Sequence, residues 1–206
     1  EAGAFHDGRA AVKRDGLCGY VDPSGKEVVP PRYYKCLDFR NRRAVVYENY
    51  HEAGLIDWEG NMIIEPNIDR LLDFNNGRGL VKEGNCRFYY ITEEADLSEG
   101  YFTEARKFRH GMAVVQVNGK WGVINQQGME IIPPKYDRID KFEEGYARVR
   151  IRGFNGLTNR KGELIMQPAF EYISYAGDGL FRVEQGEKVG YFDIDGNWVW
   201  RLNNDN

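Results

Sequence analysis

Histidine is the side chain best suited to proton transfer near neutral pH, and the chain has three, His6, His51 and His110, at unrelated places in the sequence. Serine is confined to Ser24, Ser98 and Ser174. Ser24 lies in a turn signature between Asp22 and Gly25, and no Gly-x-Ser-x-Gly elbow occurs, so a serine nucleophile with a histidine base has no support. Neither His-Glu-x-x-His nor Cys-x-x-Cys is present. Cys18, Cys36 and Cys86 are odd in number and match no ligand spacing, so they read as free, mostly apolar thiols rather than as a disulfide scaffold. With 32 acidic residues a carboxylate pair for glycoside hydrolysis could always be drawn, yet no pair recurs. Asp22, Asp57 and Asp193 share a column with Asn125 and Asn159, a swap that catalysis would not tolerate. The expectation is a protein that is not an enzyme and uses no metal and no cofactor.

Binding chemistry remains. Glycine clusters open no helix, which removes a phosphate cradle. Arg148, Arg150 and Arg152 alternate with Ala147, Val149 and Ile151, so they project from one face of a half-buried strand and could meet an anionic partner. Trp58 sits inside a turn where other copies carry Pro23, Gln126, Arg160 and Ile194, and a tryptophan there is expected to be exposed. Trp58, Tyr50 and Tyr90 fall off the regular columns and are candidate contacts with a protein or sugar. A solvated strand face and ordinary core aromatics are the plainer readings of the same residues.

The elements that would position these side chains recur along the chain. Phe5, Phe39, Phe74, Phe108 and Phe142, with Ala176 sixth, are separated by 34, 35, 34, 34 and 34 residues. Val12, Val46, Val81, Val115, Val149 and Val183 keep the same period. So do Gly19, Gly54, Gly122, Gly156 and Gly190, with Phe88 in the third copy. Each copy reads as a strand, a tight hairpin such as Asn118-Gly119, and a second strand. An Asx-x-x-Gly turn then leads to a third strand such as Glu130-Ile131-Ile132. Pro31, Pro66, Pro134 and Pro168 follow it and are expected to stop the ladder. A link of about ten residues carries apolar positions three apart, such as Tyr136, Ile139 and Phe142, as a short helical turn or an extended corner. Trp198 and Trp200 are expected to close the open end of the array. In the third copy Thr92-Glu93-Glu94-Ala95-Asp96-Leu97-Ser98 replaces both the glycine turn and the third strand.

One such meander cannot bury its apolar face alone, so neighbours must stack. The expected fold is all-β: tandem three-stranded β-meander repeats of roughly 34 residues stacked as an open twisted solenoid, with a closed propeller-like ring as the alternative. A single domain over 1–206 would hold six units at 1–38, 39–73, 74–107, 108–141, 142–175 and 176–206.

The fourth copy, Gly119-Lys120-Trp121-Gly122-Val123-Ile124-Asn125, continuing to Gly128 and Ile131-Ile132-Pro133-Pro134-Lys135-Tyr136-Asp137, resembles the bacterial WG-repeat family, also called KWG repeats. The likeness extends over nearly the whole chain. Only this copy keeps Trp-Gly; the others have Cys18-Gly19, Ala53-Gly54, Arg87-Phe88, Asn155-Gly156 and Val189-Gly190. A ligand-contacting tryptophan array would not lose its tryptophan five times. The resemblance implies tandem β-rich repeats, often at the cell surface or secreted, and brings no catalytic residues.

A net charge of −4 argues against a dedicated nucleic-acid partner, and no apolar run approaches the ~18 residues that cross a bilayer. The chain is thus expected to be a repeat scaffold for protein–protein interaction, with binding of a glycan or cell-wall polymer as the alternative. A secreted or cell-envelope location is slightly favoured over the cytoplasm.

Overall fold

The structure, a computed structural model, describes residues 1–75, 77–85 and 87–201. Every element among them is a strand or turn. The first sheet holds β1 (Ala2–His6), β2 (Arg9–Arg14), β3 (Leu17–Val21) and β4 (Glu27–Tyr33). The second holds β5 (Lys35–Cys36), β6 (Arg43–Tyr47), β7 (Ala53–Asp57) and β8 (Met62–Ile68), and the third β9 (Leu71–Asn75), β10 (Arg78–Glu83) and β11 (Arg87–Ile91). The fourth comprises β12 (Glu104–Ala105), β13 (Met112–Val117), β14 (Lys120–Asn125) and β15 (Glu130–Tyr136). The fifth comprises β16 (Arg138–Ile139), β17 (Tyr146–Ile151), β18 (Phe154–Asn159) and β19 (Leu164–Phe170). The last comprises β20 (Tyr172–Gly177), β21 (Leu180–Gln185), β22 (Lys188–Asp193) and β23 (Trp198–Trp200). Each sheet is an antiparallel meander in sequence order and none closes on itself. The chain falls into two compact units, Glu1–Ala113 and Val114–Asn206.

The all-β tandem architecture is thus observed, and the link supplies a further strand. After β4, β15 and β19 the chain enters the next sheet directly as an edge strand, so those meanders have four strands. A first hairpin precedes the one read from Asn118-Gly119. Its turns put two successive residues at positive φ: Asp7 and Gly8, His110 and Gly111, Glu144 and Gly145, Asp178 and Gly179. Asn118 and Gly119 do the same in the second hairpin, as a type I′ turn requires.

The prolines do not end their strands. β4, β8, β15 and β19 run through Pro31, Pro66, Pro134 and Pro168 with a register shift, because a bulge leaves the missing N–H without a partner to satisfy. That bulge explains the glycine column. A Cβ on Gly54, Gly122 or Gly156 would lie 2.6 Å from the carbonyl oxygen of Ile64, Ile132 or Met166. Register places Gly19 opposite Val12, Gly54 opposite Val46 and Gly156 opposite Val149. Opposite Val81 stands Tyr89, so Tyr89 and not Phe88 holds the column's place in the third copy. There the crowding strand is reduced to isolated bridges, Ile91 to Leu97 and Phe88 to Phe102, and a side chain fits. The turn survives too: Thr92 Oγ1 accepts the N–H groups of Glu94 and Asp96 at 3.1 and 3.3 Å, and Ala95 takes φ 68° in place of glycine.

Within each unit the core lies between consecutive sheets. In the first unit Cys18, Tyr20, Val29 and Tyr33 pack with Phe39, Ala44, Val46 and Ile56. Val45, Leu55 and Ile64 pack with Leu71, Phe74, Val81 and Ile91. In the second unit Leu157 and Phe170 pack with Ile173, Phe181, Val183 and Phe192. Trp198 joins that cluster edge-on to Phe170 and Phe192, whereas Trp200 is exposed beside Tyr191.

Cys18 and Cys36 are disulfide-bonded, with Cα atoms 6.0 Å apart, which overturns the reading of both as free thiols. Spacing hid the pair because it is made by packing: Cys18 is on β3 and Cys36 on β5, in neighbouring sheets. Cys86 lies outside the described residues.

Candidate functional site

The arginines of the fifth sheet meet Asp140 in a charged cluster of the second unit. β16 pairs with β17 so that Arg138 stands directly opposite Arg150 and Ile139 opposite Val149. Ile139 and Val149 are buried, which turns the arginines outward. Asp140 is held from two sides: Arg138 Nε donates to Oδ1 at 2.7 Å, and Arg148 Nε donates to Oδ2 at 2.8 Å. Burial pushes the Asp140 carboxyl up, but the hydrogen bonds and charges of Arg148 and Arg138 outweigh it and hold the group below the usual aspartate value. Arg148 also donates from Nη1 to Ile173 O at 3.3 Å and lies 5.6 Å from the Tyr172 ring centroid, so it ties the fifth sheet to the sixth. Arg150 donates from Nε to Gly153 O at 3.2 Å. Asn155, buried beside them, donates from Nδ2 to Phe170 O at 3.3 Å and Glu171 O at 2.7 Å. A pocket of about 170 Å³ lies among Arg138, Asp140, Arg148, Arg150, Asn155, Glu171 and Tyr172.

Arg152 does not continue the strand face. It follows β17 in the turn, at φ 50°, and its backbone N–H donates to Asp137 Oδ2 at 2.7 Å. Of the three arginines read together, Arg148 and Arg150 share the pocket and Arg152 does not line it.

In the first unit Trp58 departs from its expectation of exposure. Its Nε1 donates to Asp7 O at 2.8 Å, and the Arg9 guanidinium carbon lies 3.5 Å from the ring centroid. Arg9 is only 6 % exposed and donates to Trp58 O and Gly8 O. Arg42 also approaches the ring, at 5.1 Å. Trp58 therefore pins the tip of the second sheet's turn onto the first sheet's hairpin, half-buried beside an open groove of about 570 Å³ lined by Asp22, Lys26, Glu27 and Glu59.

Tyr90 is a correction outright. It is 3 % exposed, its hydroxyl donates to Arg106 O at 2.7 Å, and its ring meets Phe108 edge-on at 4.7 Å. Once Tyr89 fills the glycine column, Tyr90 is the structural equivalent of Tyr20, whose hydroxyl likewise donates to Leu37 O in the following link. Burial raises the phenol pKa of both residues. Tyr50 is the opposite case at 71 % exposure. It meets Tyr34, itself 39 % exposed, with ring centroids 4.7 Å apart and the planes tilted by 46°. The turn that carries it is where the second copy accommodates its extra residue, closed by Glu48 N–H to Glu52 O at 2.9 Å.

The histidines stay apart: His6 faces Asp38 at 3.4 Å, His51 Nδ1 lies 2.8 Å from Asp69, and His110 sits in a first-hairpin turn. Among the described residues no group of three or more His, Cys, Asp or Glu side chains could hold a metal ion. Among the described residues no helix is long and apolar enough to cross a membrane. Sequence reasoning missed Arg138, Asp140, Tyr34 and Arg9. The signal for Arg138 was its distance from Arg150, which becomes a cross-strand pair only once the link is known to be a strand.

Successive β-meanders with buried inter-sheet seams define a tandem-repeat scaffold. The chain belongs to the WG containing repeat family, which matches residues 19–50, 54–85, 98–121, 121–153 and 156–188. No curated protein sequence matches it. Among solved structures, it is similar to KlHsv2 with loop 6CD replaced by a Gly-Ser linker, at 10 % identity and a TM-score of 0.50, over 96 % of this chain and 80 % of that one. Kluyveromyces lactis Hsv2p gives 10 % identity and 0.48 over 94 % and 74 %. The computationally designed Ika8 protein gives 13 % and 0.45 over 97 % and 73 %. At such identities the likeness concerns the fold alone.

Proposed function

We propose that the chain is a non-catalytic scaffold whose six units present a surface to another protein. The Tyr34–Tyr50 pair carries this reading. The recurring residues are consumed by turns, bulges and inter-sheet seams, whereas these two rings meet at a tilt and stand exposed, Tyr50 on the turn that holds the second copy's extra residue and Tyr34 at the entrance to the same sheet. Rigid exposed tyrosines are typical anchors of protein interfaces. The Cys18–Cys36 bridge supports a location in an oxidising compartment. A photo-crosslinking residue at position 50, used in the cells of origin, is expected to trap a discrete protein. The adduct should vanish when Tyr34 becomes Ala, with the thermal midpoint unchanged. Absence of any adduct at position 50 would defeat the proposal.

Binding of a glycan or cell-wall polymer is the second reading, supported by the same exposed rings. Trp58, the broadest aromatic platform expected for a sugar, has Arg9 stacked against it. Retention on peptidoglycan or a glycan array that Tyr50→Ala abolishes would favour this reading over the first.

A further inference from the structure

We propose that the chain associates head to tail with a second copy of itself, the first sheet of one copy docking on the last sheet of the other. The proposal stands apart from the scaffold reading, because it uses neither Tyr34 nor Tyr50.

Within the units one sheet is seated on the sheet before it by three recurring contacts. The first is an aromatic knob. Phe39, between β5 and β6, packs against the first sheet, edge-on to Tyr20 at 4.8 Å. Phe74 and Phe108, one and two periods on, are buried in the same way, Phe74 with Leu55 and Ile64 of the second sheet and Phe108 against Tyr90 of the third. The second contact is a tyrosine hydroxyl. Tyr20 donates to Leu37 O and Tyr90 to Arg106 O, in each case the carbonyl two residues before the knob. The third is the Asx turn. A Cβ on Gly60 would lie 2.6 Å from Val29 Cγ2, one on Gly162 2.7 Å from Ile131 O and one on Gly196 2.6 Å from Ile165 O. Each turn therefore rests on the last strand of the preceding sheet.

One half of this seam is left over on the first sheet and the other half on the last. In the first sheet Phe5 holds the knob's place, yet it is 53 % exposed, as are all five residues of β1 to the solvent. A Cβ on Gly25 would meet nothing within 4 Å, unlike its counterparts at Gly60, Gly162 and Gly196. In the last sheet Tyr191 stands opposite Trp200 and Phe192 opposite Trp198, the register that Val123 and Ile124 keep with Ile132 and Glu130. Tyr20 and Val29 are paired likewise. Tyr191 thus holds the place of Tyr20, and Val199 that of Ile131 and Ile165. Val199 is 59 % exposed and Trp200 is exposed beside it, whereas Val29, Ile64 and Ile132, the counterparts of Trp200, are buried. No further sheet among the described residues supplies Tyr191 with a knob and a carbonyl.

The missing pieces are those the first sheet carries. Phe5 is the knob, the Gly3 carbonyl two residues before it is the acceptor for the Tyr191 hydroxyl, and the Asp22–Gly25 turn fits the Val199 carbonyl. Complementary halves on different surfaces of one chain make a heterologous contact between copies, and the aromatic area it covers supplies the drive.

The test is sedimentation velocity of the full chain over a wide range of concentrations. The weight-average mass is expected to rise with concentration beyond that of one chain. Phe5→Asp spoils the head alone and Val199→Asp the tail alone, so each variant by itself should stay monomeric. Their equimolar mixture should form a dimer and nothing larger, because it holds one intact head for one intact tail, and that recovery separates lost contact from lost fold. Tyr191→Phe keeps the ring, loses the hydroxyl and should weaken association about 5-fold, while Tyr50→Ala should leave it unchanged. A mass of one chain at every concentration, whether the head closes on the tail of its own chain or both stay bare, would overturn the proposal. Association that survives Phe5→Asp, or a mixture that stays monomeric, does the same. The scaffold reading keeps its own readout in the position-50 adduct, so either can fail without the other.

Discussion

Asp137 Oδ2 accepts the backbone N–H of Arg152 at 2.7 Å, across a separation of 15 residues. The same separation recurs where Asp69 Oδ2 accepts the Gly84 N–H at 3.4 Å and Glu171 Oε2 accepts the Gly186 N–H at 3.2 Å. A carboxylate at the entrance to a sheet thus fastens that sheet's second hairpin turn. The bond from Lys120 and then that from the Arg152 N–H hold Asp137 below its ordinary pKa. Replacing Asp137 with Ala should speed hydrogen exchange at the Arg152 amide and lower the urea midpoint, while Asn, which keeps an acceptor, should restore most of the protection. Unchanged exchange at Arg152 in the alanine variant would show that the turn holds itself.

What could be read from the sequence was what local chemistry sets. The Asn118-Gly119 hairpin and the Asp22, Asp57, Asn125, Asn159 and Asp193 turns follow from residues within five positions of one another, and the 34-residue period is the recurrence of these local signals. In the Asx turns a side-chain oxygen accepts an N–H four residues on, as Asp22 does from Lys26 at 3.1 Å and Asn125 from Met129 at 2.9 Å. Features set by pairing between segments were not legible. The link looks irregular until β17 supplies the ladder for β16, and Cys18 looks isolated until the second sheet packs on the first. Tyr90 reads as a spare surface aromatic when Phe88 is taken as the glycine column's third member, one residue before Tyr89, which pairs with Val81. Gly19, Gly54, Gly122 and Gly156 are needed only where a bulged strand crosses them, so the third copy, lacking that strand, had no glycine to fix its register.

The Cys18–Cys36 bridge closes a short loop, with a separation of 18 residues, between the first two sheets. A cross-link over a loop of this size restricts the unfolded chain by about 3 kcal/mol. Denaturant unfolding of the first unit with and without a thiol reductant should differ by that order, and Cys36→Ser should reproduce the reduced midpoint without reductant. Intact-mass measurement after alkylation under denaturing conditions should find both thiols protected. Alkylation of Cys18 without prior reduction would contradict the bridge.

Ala95 holds φ 68°, where the corresponding turns carry Gly25 at 83° and Gly128 at 81°. A Cβ there crowds the backbone at a cost of about 1–2 kcal/mol, partly offset because glycine frees the unfolded chain. Ala95→Gly is therefore expected to raise stability by about 0.5–1 kcal/mol. Gly128→Ala, the mirror substitution, should lower it by a similar amount. A destabilising Ala95→Gly would mean that the Thr92 turn is not formed as described.

Asp140 gives the fifth sheet a defined pH response. Burial raises its carboxyl pKa, the bonds and charges of Arg148 and Arg138 lower it more, and the net folded value is below that of the unfolded chain. The unfolded state then takes up the proton first on acidification, so the stabilisation is complete above the unfolded value of about 3.9 and is lost as pH falls through the lower, folded value. At pH 7 Asp140→Asn should cost about 1–2 kcal/mol, since Arg148 loses the partner of its Nε and Nη2. At a pH below the folded value the parent's Asp140 is itself neutralised and the difference between the two proteins should shrink. Other aspartates with lowered values, such as Asp22, Asp57 and Asp193, titrate in both proteins and cancel. A gap in urea midpoints that is constant from neutral to acid pH would show that Asp140 contributes through packing rather than through its charge.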